Sequence, residues 1–124
     1  KRLRPTLGYK VGMRMGHGVR DETAETKLHY VTTGYLVQLM VHRPEALKRC
    51  THVIIDEVHE RSVDGDLICL LVRDLMLVYP KLRVILMSAT INTDLYRDYF
   101  SQRDNGTFGT MKCLSVGAKR FPVE

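Results

Sequence analysis

The segment His52-Val53-Ile54-Ile55-Asp56-Glu57-Val58-His59 constrains this chain more than any other. A short apolar run stops abruptly at two adjacent carboxylates, and a histidine follows two residues later. An apolar, β-branched run closed by charge reads as a strand buried on both faces, as in a parallel sheet. Such sheets place their ligand chemistry at the carboxyl ends of the strands, where Asp56 and Glu57 fall. An acidic pair there suits one carboxylate on Mg²⁺ and a second acting on water. Hydrolysis of a nucleoside triphosphate requires both roles.

A second apolar run, Arg83 to Met87, ends in Ser88-Ala89-Thr90. Between the two runs, Asp64 or Asp66 can cap a helix. Its apolar positions Leu67, Leu70, Leu71, Leu75 and Val78 recur at helical spacing, and Pro80 closes it. Earlier in the chain, Gly8 to Met15 and Lys27 to Val31 read as short strands, with a loop from Arg20 to Thr26. Thr33 to Val41 reads as a helix stopped before Pro44. Later, Asn92 or Thr93 caps a helix through Phe100 with Leu95 and Tyr99 facing inward. Ser101 to Gly109 is a polar loop, and Cys113 to Val116 a last short strand. This order predicts an α/β layered sheet, mostly parallel and flanked by helices.

The chain has 124 residues, 44% of them hydrophobic, enough for one modest core. No apolar run reaches the length of a membrane span, so no membrane association is expected. Three cysteines, far apart and without a Cys-x-x-Cys pair, point to a reducing, intracellular compartment, nucleus or cytoplasm. Residues 1–20 carry Lys1, Arg2, Arg4, Lys10, Arg14 and Arg20 without one acid. Such a stretch suits a nucleic-acid backbone, a solvated surface or an exposed edge. A phosphate-cradling loop needs Gly-Lys-Ser/Thr, and the chain contains no Gly-Lys dipeptide. Gly12, Gly16 and Gly18 read instead as a glycine-rich hairpin or turn. His17, His29, His42 and His52 have no ligand-like spacing.

Taken in order, Asp56-Glu57-Val58-His59-Glu60-Arg61-Ser62 and Leu86-Met87-Ser88-Ala89-Thr90 resemble motifs II and III of the DEAH/DExH-box helicases. Thr32-Thr33-Gly34-Tyr35-Leu36 is similar to that family's Thr-x-Gly motif, and Phe121-Pro122-Val123-Glu124 to the exit from its first RecA-like domain. The likeness runs from about Leu7 to Glu124 and is greatest to the RNA helicase A-like subgroup. Thr33 stands where the processing helicases usually have Asp.

The resemblance implies a partial RecA-like P-loop NTPase domain lacking the P-loop strand. Residues 1–124 would form the later part of the first domain, with 117–124 leading toward the second. It implies an ATP-dependent RNA helicase that couples ATP hydrolysis to movement on RNA or its unwinding. ATP and Mg²⁺ would be used by the full-length protein, and this segment alone would be inactive. By the same likeness Asp56 is the Mg²⁺ carboxylate acting through water, Glu57 the catalytic base, and His59 the nucleotide-sensing link to the second domain. Ser88 and Thr90 couple hydrolysis to strand separation, and Thr32 and Gly34 contact the backbone of single-stranded RNA. Arg61 and Glu60 are expected to brace the loop by ion pairing. Without the P-loop strand, the edge near Val84 to Met87 lies open and invites pairing with a second copy. A pseudohelicase scaffold and a DNA-directed translocase are the alternative readings.

Overall fold

The computed structural model describes residues 10–16, 18, 20–90, 93–101 and 111–117. The chain divides into two compact units, residues 1–89 and 90–124. In the first, strand β1 (Val11–Arg14) lies between β2 (Arg20–Asp21), antiparallel to it, and β3 (Leu28–Val31), parallel to it. Helix α1 (Thr33–His42) and a 3₁₀ turn (Pro44–Leu47) follow. Next come β4 (His52–Ile55), a 3₁₀ turn (Val58–Glu60), helix α2 (Val63–Val78) and β5 (Arg83–Leu86). β4 and β5 pair in parallel, His52 opposite Arg83 through Ile55 opposite Leu86. The second unit contains α3 (Thr93–Ser101). No helix among the described residues is long and apolar enough to cross a membrane.

The α/β order with parallel strands is as the sequence predicts, but the described strands form two sheets rather than one. Part of the anticipated 20–26 loop is the strand β2, which turns the glycine-rich stretch into a hairpin with Gly18 at φ 80°. Gly12 is a site of close approach. A Cβ there would lie 2.8 Å from Thr26 Cγ2 and 3.0 Å from the Asp21 carbonyl oxygen, because the 21–26 loop folds back over β1.

A charged cluster fastens that loop. Glu22, its side chain 14% exposed, accepts from Arg14 Nη2 at 2.7 Å and from Arg20 Nη2 at 2.8 Å, and Arg14 Nε donates to its other oxygen. His29 Nδ1 of β3 lies 3.3 Å away, and Arg14 Nη1 donates to Tyr35 Oη of α1 at 3.2 Å. The Arg14 hydrogen bonds hold the Glu22 carboxyl down at about 2, against the opposing effect of burial and with Arg20 reinforcing them. The folded value lies below the ordinary 4.5, so this stabilisation is complete above pH 4.5 and is lost as pH falls toward 2. Glu22→Gln is expected to lower stability by about 2 kcal/mol at neutral pH and to flatten its acid dependence below pH 4.5. Urea midpoints at pH 7 and pH 3 check this, and an unchanged difference between them contradicts it.

α1 and α2 pack together. The buried side chains include Val37 and Met40 of α1, Val53 and Ile55 of β4, and Ile68, Cys69, Val72 and Leu75 of α2. Several sequence expectations change here. β4 and β5 are not buried on both faces: Ile54 is 48% and Ile85 42% exposed, because alternate side chains face opposite ways and one face lacks cover among the described residues. On α2 the inward stripe is Ile68, Cys69, Val72 and Leu75, while Leu70 and Val78 are exposed. Its N-cap is Ser62, whose Oγ accepts from Gly65 N–H at 3.1 Å, and Asp64 and Asp66 sit in the first turn.

On α3 the buried pair is Tyr96 and Phe100, one helical turn apart, with Leu95 exposed. Residues 111–117 form no strand, and Leu114 and Val116 are exposed. A strand needs a hydrogen-bonded neighbour, and none pairs with them among the described residues. The segment expected to lead toward a second domain lies, apart from Gly117, outside the described residues.

Candidate active site

The acidic loop leaves β4 in close register with the end of β5. Met87 N–H donates to the Ile55 carbonyl at 2.9 Å, and Val58 N–H returns a bond to the Met87 carbonyl at 3.1 Å. Parallel pairing therefore brings the exits of both strands together, and with them the residues that follow. Asp56 is exposed, and its Oδ1 accepts the Glu57 N–H at 2.9 Å. Glu57 takes a left-handed backbone conformation (φ 54°, ψ 38°), and Arg61 does the same (φ 50°, ψ 41°). For residues other than glycine each such conformation costs roughly 1–2 kcal/mol. The two bracket the Val58–Glu60 turn, in which Val58 is buried and His59 reaches outward.

His59 joins the acidic loop to the end of β5. Its Nδ1 lies 3.2 Å from Glu57 Oε2 and 3.1 Å from Ser88 Oγ. His59 Nδ1 thus sits in hydrogen-bond contact with Ser88 Oγ and within ion-pair range of the Glu57 carboxylate. Arg61 is held by Asp66, with Nε 2.9 Å and 3.2 Å from the two carboxylate oxygens and Nη2 2.9 Å from Oδ2. The pair draws the Asp66 carboxyl below its ordinary value, chiefly through Arg61's hydrogen bonds. The expected brace is thus present at Arg61; Glu60 makes no ion pair among the described residues, its backbone N–H donating to the Glu57 carbonyl at 3.0 Å.

Thr32 is the N-cap residue of α1, exposed and extended (φ −74°, ψ 152°), and its hydroxyl makes no cap hydrogen bond. Its carbonyl accepts Leu36 N–H at 3.0 Å. Gly34 is exposed in the first turn of α1, where a Cβ would stand 3.6 Å from Asp64 Oδ2. The first turn of α2 thus borders both candidate regions: Asp64 lies beside Gly34, and Asp66 holds Arg61 from the acidic loop. The structure brings Glu57 and Ser88 to the same His59 nitrogen, one by ion-pair distance and the other by hydrogen bond, adjoining Asp56. Thr90 opens the second unit. Of the basic residues near the start, Arg14 and Arg20 are engaged with Glu22, while Lys1, Arg2 and Arg4 lie outside the described residues.

No group of three or more His, Cys, Asp or Glu among the described residues is placed to hold a metal ion by itself. A single exposed carboxylate, Asp56, fits a Mg²⁺ that keeps most of its waters and takes its other oxygens from phosphates. Sequence reasoning missed Asp66 as the partner of Arg61 and Ser62 as the cap. Ser62 directly before a turn containing two acids was a legible capping signal; the Arg61–Asp66 pairing depends on a left-handed residue that no local pattern announces.

The sequence profile of the family described as DEAD/DEAH box helicase matches residues 2–98. The DExH-box ATP-dependent RNA helicase DExH1 of Arabidopsis thaliana is 37% identical over 125 residues, covering 98% of this chain and 12% of its own. A second Arabidopsis thaliana relative, the DExH-box ATP-dependent RNA helicase DExH3, is 39% identical over 104 residues, covering 81% of this chain and 8% of its own. The crystal structure of the Escherichia coli DEAH/RHA helicase HrpB superposes with a TM-score of 0.66 at 32% identity, over 78% of this chain and 13% of that one. The chain spans about a tenth of the length of the curated relatives it matches. Its α/β fold is part of a RecA-like helicase domain. With the acidic loop, the histidine and the serine following β5 gathered at the ends of two parallel strands, the chain belongs to the DEAD/DEAH box helicase family.

Proposed function

We propose that this chain is the later part of the first RecA-like domain of an ATP-dependent DExH RNA helicase. The observation that carries this reading is the His59 Nδ1 contact shared by Glu57 and Ser88, which ties the acidic loop to the exit of β5. In this reading Glu57 orients and deprotonates the attacking water, and Asp56 holds Mg²⁺ through coordinated water. When bound, the metal neutralises phosphate charge. His59 reports the position of Glu57 to Ser88. Thr90, the last residue of the motif Ser88 begins, serves the same coupling.

Thr32 and Gly34 meet the RNA backbone at the start of α1, where a hydroxyl making no cap hydrogen bond and the N–H groups of a helix start suit phosphate. A second RecA-like domain of the intact protein supplies the rest of the nucleotide and RNA clefts, so the segment alone is inactive. ATP hydrolysis by the intact protein, with and without single-stranded RNA, tests the reading. RNA-stimulated turnover is expected. RNA binding without any turnover would instead favour a scaffold.

The open strand edge leads to a separate expectation. β5 pairs only with β4 among the described residues, and Ile54, Ile85 and Met87 are all more than 40% exposed. The isolated segment is therefore expected to self-associate through this edge. Light scattering over a concentration series checks this, and a constant monomeric mass contradicts it.

A further inference from the structure

Arg61 occupies a backbone conformation that glycine would adopt without penalty (φ 50°), so any return for the strain comes from its side chain. That side chain makes a planar, two-pronged pair with Asp66, yet the two are 54% and 44% exposed. Exposed ion pairs add little stability, whereas a bidentate guanidinium–carboxylate pair fixes geometry. What it fixes is the far end of the Val58–Glu60 turn, against a helix turn itself capped by Ser62. The near end is fixed by Val58 N–H on the Met87 carbonyl. His59, in the middle, spans to Ser88 with a contact of 3.1 Å that tolerates little rotation of the turn.

We propose that Arg61 and Asp66 are positioning residues: their pair clamps the Val58–Glu60 turn and keeps His59 in reach of both Glu57 and Ser88. The proposal rests on the reading of Glu57 as the group acting on water. Arg61 acts through the turn, not on the nucleotide. Lysine cannot replace it, because an ammonium keeps the charge but lacks the fork.

The test uses the intact protein with Arg61→Gly, Arg61→Lys and Asp66→Asn. Arg61→Gly relieves the backbone and removes the clamp together. Its thermal midpoint is expected to hold or rise, while kcat for ATP hydrolysis falls about tenfold with KM for ATP nearly unchanged. Amide hydrogen exchange in a peptide spanning residues 57–62 is expected to accelerate, and the Lys and Asn variants to follow in the same direction. A lower midpoint with unchanged kcat and unchanged exchange means a merely stabilising pair and overturns the proposal. Full activity in Arg61→Lys overturns it too, as does a rise confined to KM. If the wild-type protein hydrolyses no ATP, the helicase reading fails, and the exchange comparison alone decides whether the pair clamps the turn.

Discussion

Replacing Glu57 with glutamine is expected to lower RNA-stimulated ATP hydrolysis by the intact protein about 10²–10⁴-fold, with ATP binding retained. That corresponds to roughly 3–5 kcal/mol of transition-state stabilisation. The substitution is nearly isosteric. The carboxylate lies 3.2 Å from His59 Nδ1, and an amide of the same shape fits that position, so the His59–Ser88 contact is expected to be kept. Only the capacity to take a proton from water is lost. Phosphate release measures the turnover and a fluorescent nucleotide the binding. A variant within tenfold of wild type removes Glu57 from the role of base. A variant that no longer binds ATP shows a disrupted loop instead.

Ile68→Ala is expected to cost about 3 kcal/mol of stability, and Leu70→Ala less than about 0.5 kcal/mol. Ile68 is 1% exposed and lies one turn from the wholly buried Val72 on α2, whereas Leu70 is 47% exposed. Truncating a side chain in that row removes apolar contacts and leaves a cavity. In a domain of this size the loss lowers the thermal midpoint on the order of 10 °C. Equal midpoints for the two variants contradict the inward face assigned to α2.

The contrast between Ile68 and Leu70 also shows what the sequence conceals. Residues 67 to 72 are apolar without a break, so several stripes of helical spacing can be drawn along α2. Packing against α1 selects one of them, and that information is not local. On α3 the buried residues are Tyr96 and Phe100, where helical spacing pointed to Leu95 and Tyr99. Strand positions were legible, because β4 and β5 are compact apolar runs with abrupt ends. Their half-exposed faces were not, because burial depends on what covers a sheet rather than on its composition. At the site, Asp56, Glu57, His59 and Ser88 stand in ordered motifs and could be named from sequence. The contact joining His59 to Ser88 exists only because β4 and β5 pair in parallel and in register. The Glu22 cluster needs the β1–β3 pairing before Arg14, His29 and Tyr35 converge, so no local pattern reveals it.

The parallel pairing of β4 with β5 also bears on how the chain comes to be folded during synthesis. Partners in this ladder are about thirty residues apart, with all of α2 between them. Closing so long a loop has to precede any ladder bond, so α1 and α2 can dock before the strands pair. A ribosome that has made β4 must still deliver α2 and β5 before Val53 and Ile55 gain their ladder partners Val84 and Leu86. In that interval the β4 edge that β5 will cover is unmet, a natural station for chaperone binding. The His59–Ser88 contact is then among the last to form, and its appearance reports that the nascent domain has closed.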